Sequence, residues 1–240
     1  MASKRQLTAI IAGATAILSA HMFGSIDYPL WKSLSANAQS GMSFIPPVDQ
    51  NPGRSAGSGS RGCSQESLAE ENLVTLLIPS TEYAGQTTSG HPSFFWYMSK
   101  SVDVPVKFSL VQKGVAQPLY ETEINAPAAG IVQVDLPPDK PELATGEVYT
   151  WSVSLVCNPD SPSANPFYYS SIERKEVTPE LEEKLAAQTE LTQKASVYAG
   201  AGLWYDTLAA LSQAYPDNLD QQPDFQALLE QVGLTLVSQK

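Results

Sequence analysis

The chain has 240 residues, with 14 Lys and Arg against 25 Asp and Glu, for a net charge of −11. Such an acidic field repels nucleic acid and anionic membrane surfaces, which disfavours both as partners. Hydrophobic residues make up 42% of the chain, enough to build a sizeable core in one or two domains.

At the amino terminus, Lys4 and Arg5 precede an apolar run from Leu7 to Ala20, and Ala36-Asn37-Ala38 stands before Gln39. A basic start, an apolar stretch and a small-x-small site read as an export signal over 1–38. The rival is an uncleaved anchor. The run to Phe23 is 17 residues and rich in Ala, Thr, Ser and Gly, short of the roughly 20 apolar residues a span needs. Cleavage after Ala38 removes Lys4, Arg5, Lys32 and Asp27. The remaining 11 basic and 24 acidic residues then give −13, and no stable membrane span is expected. Periplasm, thylakoid lumen and the extracellular space all fit.

Residues 39–62 are dominated by Gly, Ser and Pro and read as a flexible tether. Ordered structure is then expected from about Cys63. Cys63 and Cys157 are the two cysteines. An even count in an exported chain points to a Cys63–Cys157 disulfide, with two separate thiols as the alternative. Two cysteines and His91 lack metal-ligand spacing, so no metal is expected.

Seven strand-like segments follow, at 73–79, 94–98, 104–111, 119–124, 131–136, 147–157 and 167–173. The clearest is 149–157. There Tyr149, Trp151, Val153, Leu155 and Cys157 alternate with Thr150, Ser152, Ser154 and Val156, the period of a half-buried strand. Phe94–Met98 is aromatic on both faces and is expected to be covered on both sides. Turn sequences such as Gly90-His91-Pro92 and Asn158-Pro159-Asp160 separate the segments. Short strands at this spacing predict an antiparallel β-sandwich of immunoglobulin or fibronectin type over 63–176.

At Thr178-Pro179-Glu180 the period changes to that of a helix, with threonine as N-cap and proline at N1. Helices are expected near 179–188, 191–201, 203–215 and 223–232, as a carboxy-terminal region (177–240) packed on the sandwich. The fold class is therefore α+β. Ala195, Tyr198, Gly202, Trp204, Leu211 and Ala214 fall at offsets similar to a tetratricopeptide hairpin. A single unit is visible, whereas such repeats need about three to stand alone. A plain hairpin packed on the sandwich is the alternative.

No catalytic constellation emerges. His91 has Ser93 near it, but the nucleophile elbow Gly-x-Ser-x-Gly is missing. Glu70-Glu71 and Glu182-Glu183 suit element ends better than glycoside hydrolysis. No phosphate loop, dinucleotide fingerprint or calcium loop is present, so no cofactor is expected. The candidate partner surface is Trp204, Tyr205 and His91.

Several stretches together resemble the cyanobacterial family known as domain of unknown function 928. They are Arg61-Gly62-Cys63, His91-Pro92-Ser93-Phe94-Phe95-Trp96-Tyr97 and Gly130-Ile131-Val132. Further matches are Tyr149-Thr150-Trp151, the run from Leu155 to Asp160, and the run from Tyr198 to Asp206. The resemblance spans about Cys63 to Leu234. It implies an exported cyanobacterial protein and carries over neither an activity nor catalytic residues.

The reading that follows is a non-catalytic, envelope-associated binding or interaction module with a protein or glycan partner. A hydrolase of cell-wall or polysaccharide material is the second reading. A purely structural domain is the third, and it predicts that Trp204 and Tyr205 are both buried.

Overall fold

The structure is a computed structural model, and it describes residues 41–53, the backbone of 56–58, Cys63 and residues 73–236. Two mostly antiparallel sheets and four helices make up this part of the chain. The strands are β1 (Ala56–Ser58), β2 (Val74–Leu76), β3 (Gly85–Thr87), β4 (Ser93–Met98) and β5 (Val106–Gln112). They continue with β6 (Tyr120–Ile124), β7 (Gly130–Asp135), β8 (Val148–Leu155) and β9 (Phe167–Arg174). The helices are α1 (Pro179–Ala186), α2 (Leu191–Gly200), α3 (Trp204–Ala214) and α4 (Pro223–Gln231).

The larger sheet runs β1-β9-β8-β5-β6, and β3 adds to β9 in parallel; the smaller sheet runs β2-β4-β7. The chain therefore leaves the small sheet after β2 and joins the large one at β3. The sheet order, β2-β4-β7 against β9-β8-β5-β6, is that of an immunoglobulin-like sandwich. All seven strand-like segments of the sequence lie on observed strands. β1 and β3 are additions. Gly85-Gln86-Thr87 has no apolar period; its pairing comes from the free edge of β9, through Gly85–Ile172 and Thr87–Arg174. The register of β8 matches its alternation: Tyr149, Trp151, Val153 and Leu155 are buried and the residues between them are half-buried.

Aromatic rings fill the space between the sheets. Phe94 of the small sheet sits 5.0 Å from Phe108 and 5.4 Å from Trp151 of the large one, and Trp96 stacks on Phe108 at 6.3 Å. The opposite face of β4 carries Phe95 and Tyr97, also buried. Helices cover that side: α3 packs on β4, and Ser212 of α3 hydrogen-bonds to Gln133 of β7 at 2.5 Å. The doubly aromatic β4 is thus the middle layer of three.

Cys63 and Cys157 form the disulfide, with Cα atoms 5.2 Å apart. Cys63 follows β1, not preceding the first strand as the sequence suggests. Beside Cys157, Asn165 accepts from Cys157 N and Asn158 N, pinning the turn after β8.

The helices begin and end within about two residues of their expected limits. Thr178 caps α1 by accepting from Leu181 N. Residues 201–203 join α2 to α3, and Gly202 there has φ +76°, a conformation open to glycine at little cost.

Residues 41–53 depart from the expected tether. They form a strap over the helices and the sheet edge. Phe44 N donates to the Gln231 side chain of α4, and Ile45 N donates to Ala199 O of α2. Phe44 is buried, its ring edge-on to Trp204 at 5.0 Å. A side chain at Gly202 would meet Ile45 O at 3.0 Å and Pro47 at 3.1 Å, so glycine also lets the strap cross the α2–α3 turn. Farther along, Ala84 N donates to Asn51 O and Gly53 N to Glu82 O. The Lys175 ammonium hydrogen-bonds Asp49 at 2.7 Å and holds its carboxyl below the usual value. Met42 and Phe44 provide apolar anchors that the Gly/Ser/Pro composition of the whole stretch conceals.

Candidate functional site: a polar cleft between the β3–β4 turn and the helices

The turn from Thr87 to Ser93 stands opposite α2 and α3, and a cleft of about 330 Å³ lies between them. That volume is at the lower end for ligand clefts, roughly 300–1,000 Å³. One wall is Thr87, Ser89, His91 and Ser93. Another is Lys194 and Tyr198, four residues apart on one face of α2. The third is Asp206, Ala209 and Gln213 of α3.

The turn is fixed locally by its own hydroxyls. Ser89 N donates to Thr87 Oγ1, and His91 N donates to Ser89 Oγ. Behind it, Arg174 donates to Thr88 O, Leu143 O and Glu142, while Leu143 N donates to Gly90 O. In front, Asp206 accepts from Thr88 N at 3.0 Å and Thr88 Oγ1 at 2.8 Å. The wall is therefore held on both sides before anything enters the cleft.

Asp206 is buried in the first turn of α3. Burial pushes its carboxyl above the usual value, against the hydrogen bonds from Thr88 and Thr87. Among the described residues it has no cationic partner. Tyr198, which also lines the cleft, is raised too, by its own burial first and then by the Asp206 charge.

The candidate surface residues separate. His91 is half-buried and lines the cleft. Its Nε2 lies 3.0 Å from Lys140 O. A carbonyl only accepts, so Nε2 carries a proton there. Among the described residues, no hydrogen bond joins the ring to an acid or a hydroxyl nucleophile. Trp204 and Tyr205 are both buried, and Tyr205 also stands at the back of the cleft lining. Trp204 donates to Leu77 O at 2.8 Å. Tyr205 reaches past Gly85 into the inter-sheet core, where its hydroxyl accepts from Trp151 Nε1 at 2.7 Å. A side chain at Gly85 would lie 2.7 Å from the Tyr205 ring. Burying two large aromatic side chains contributes on the order of 4–6 kcal/mol apiece, which is why this face of α3 turns inward. Elsewhere, Phe167 remains exposed beside Tyr169, with ring centroids 5.5 Å apart.

Sequence reading overlooked the cleft. Asp206 could have marked it, as an acid inside the otherwise apolar run from Leu203 to Leu211; a charge on a buried helix face asks for a reason. Among the described residues, no group of three or more His, Cys, Asp or Glu is arranged to hold a metal ion. Among them too, no helix is long and apolar enough to cross a membrane.

The family model described as Domain of Unknown Function (DUF928) matches residues 56–240. The chain belongs to the DUF928 family. Its matched span includes both sheets, the disulfide and every wall of the cleft, and leaves out the strap. No curated protein matches this DUF928 chain. Among solved structures it is similar to a DUF3244 family protein from Bacteroides vulgatus with an immunoglobulin-like β-sandwich fold. The identity is 12%, with 50% of this chain and 96% of that one covered, at a TM-score of 0.27.

Proposed function

We propose that this DUF928 protein is an exported, non-catalytic binding module, of cyanobacterial origin and associated with the cell envelope, whose ligand site is the Asp206 cleft. The observation that carries this is the three-walled polar cleft of about 330 Å³ lined by Asp206, Tyr198, Lys194, His91 and Gln213, whose turn wall and Asp206 are held by hydrogen bonds. Polar groups fixed in advance lose little freedom when a ligand arrives, which favours affinity. The disulfide is compatible with an oxidising compartment. The α2–α3 pair serves here as the outer wall of the cleft, in the manner of a tetratricopeptide-like hairpin that presents one face to a ligand. Catalysis is disfavoured because, among the described residues, the His91 ring hydrogen-bonds Lys140 O and no acid or hydroxyl nucleophile.

A purely structural role is the second reading, favoured by the burial of Trp204 and Tyr205. Amide NMR of the disulfide-bonded chain separates the two, using muropeptide, oligosaccharide, amino-acid and dipeptide probes. Binding predicts that resonances of His91, Ser93, Lys194 and Gln213 move together while Val115 and Phe167 stay still. If no probe class moves the cleft resonances, the structural role stands and the binding reading falls.

A further inference from the structure

Asp206 sets the chemistry of the cleft. Its two oxygens take hydrogen bonds from Thr88 Oγ1 and Thr88 N, at 2.8 and 3.0 Å, and Thr87 and its own backbone N–H add to them. All of these donors are neutral groups, so the buried negative charge is solvated but not neutralised. A buried carboxylate in that condition gains most from a cation. On another wall, Lys194 and Tyr198 lie four residues, about 6 Å, apart along α2. The cleft thus has the Asp206 carboxylate on one wall and Lys194 on another. Ala209 and Ala210 line it with small side chains, leaving the space between the charges open.

Resting on the cleft being a binding site, we infer that it takes a small zwitterion, a free amino acid or dipeptide, with its ammonium on Asp206 and its carboxylate on Lys194. Tyr198 and the Ser89 and Ser93 hydroxyls supply the remaining polar contacts. The alternative role for Asp206 is a clamp that holds α3 to the β3–β4 turn through Thr88. The clamp needs only the acceptor oxygens; the zwitterion needs the charge.

Calorimetry on the disulfide-bonded chain distinguishes these. The probes are L-alanine, L-alanyl-L-alanine, their N-acetylated forms and their C-terminal amides. The expected result is binding of the zwitterions, at least tenfold weaker binding after N-acetylation, and several-fold weaker binding after amidation. Asp206→Asn keeps an acceptor for Thr88 and is expected to weaken zwitterion binding at least tenfold. Lys194→Gln, on the half-exposed face of α2, is expected to weaken it several-fold and to leave binding of the amides unchanged. If Asp206→Asn fails to fold, the N-acetylated probes on the native chain and Lys194→Gln decide the matter. Equal affinity for zwitterions and N-acetylated forms overturns the inference. Binding of neutral saccharides alone in the cleft also overturns it, while sparing the binding-module reading. No ligand of either kind in the cleft ends both.

Discussion

Replacing Tyr205 with phenylalanine removes one oxygen atom from the junction between α3 and the sandwich. The ring stays where it packs, 5.9 Å from Phe94 and 6.5 Å from Trp151, so the apolar contacts are retained. What disappears is the acceptor for Trp151 Nε1–H, which lies 2.7 Å from the hydroxyl. Trp151 is fully buried, and water cannot replace the missing partner. Leaving a buried donor unpaired costs about 1–3 kcal/mol. The hydroxyl also contacts the Ser170 side chain and Ser171 O, the latter long at 3.5 Å. For a chain of this size each kcal/mol moves Tm by about 2–4 °C, so Tyr205→Phe should lower Tm by about 2–12 °C. Urea unfolding of the disulfide-bonded chain, followed by tryptophan fluorescence, measures the change. A double-mutant cycle with Trp151→Phe should give a coupling of about 0.5–3 kcal/mol. Tyr205→Phe with unchanged stability and no coupling to Trp151 would refute the keyed junction.

Two further outcomes follow from the same packing. Phe44→Ala removes the strap's buried ring from its edge-on contact with Trp204 and should cost about 3–5 kcal/mol; a loss under about 1 kcal/mol in urea unfolding would show that the strap carries little of the helix docking. Cys63→Ser with Cys157→Ser opens a bridge between residues 94 apart in sequence. Chain-entropy reasoning sets that loss at roughly 4–5 kcal/mol, and intact mass before and after reduction checks that the bridge exists.

The layered fold was legible because burial has a period. The odd residues of β8 and the doubly aromatic β4 state in the sequence which faces are covered. Thr178-Pro179 and the punctuation at Gly202 and Pro223 mark the helix limits for equally local reasons. β3 was not legible, because three residues without alternation owe their strand state to the edge of β9. The strap escaped for a related reason: two apolar anchors in a stretch of Gly, Ser and Pro gain their meaning from the grooves they fill. Trp204 and Tyr205 appeared as a surface because composition reports that aromatics are clustered and is silent on where they point. The cleft was hidden most thoroughly. Its walls come from residues more than 100 positions apart, such as Thr87 and Asp206, and only the docking of α3 brings them together.

The uncompensated charge of Asp206 is the centre of the functional reading, and its carboxyl carbon can be followed directly by NMR as a function of pH. The groups facing it are Tyr198, Lys194 and His91. In the free chain, burial is predicted to make Asp206 titrate above the ordinary aspartate value. A raised folded-state value means that the folded chain binds the proton more tightly than the unfolded chain. This group therefore adds stability as pH falls from the folded value toward the ordinary one, a contribution that vanishes above the folded value. A zwitterion whose ammonium sits on the carboxylate should draw the titration back down. A free-chain titration at or below the ordinary value, or one that saturating L-alanyl-L-alanine leaves unmoved, would contradict the assignment of Asp206 as the counter-ion.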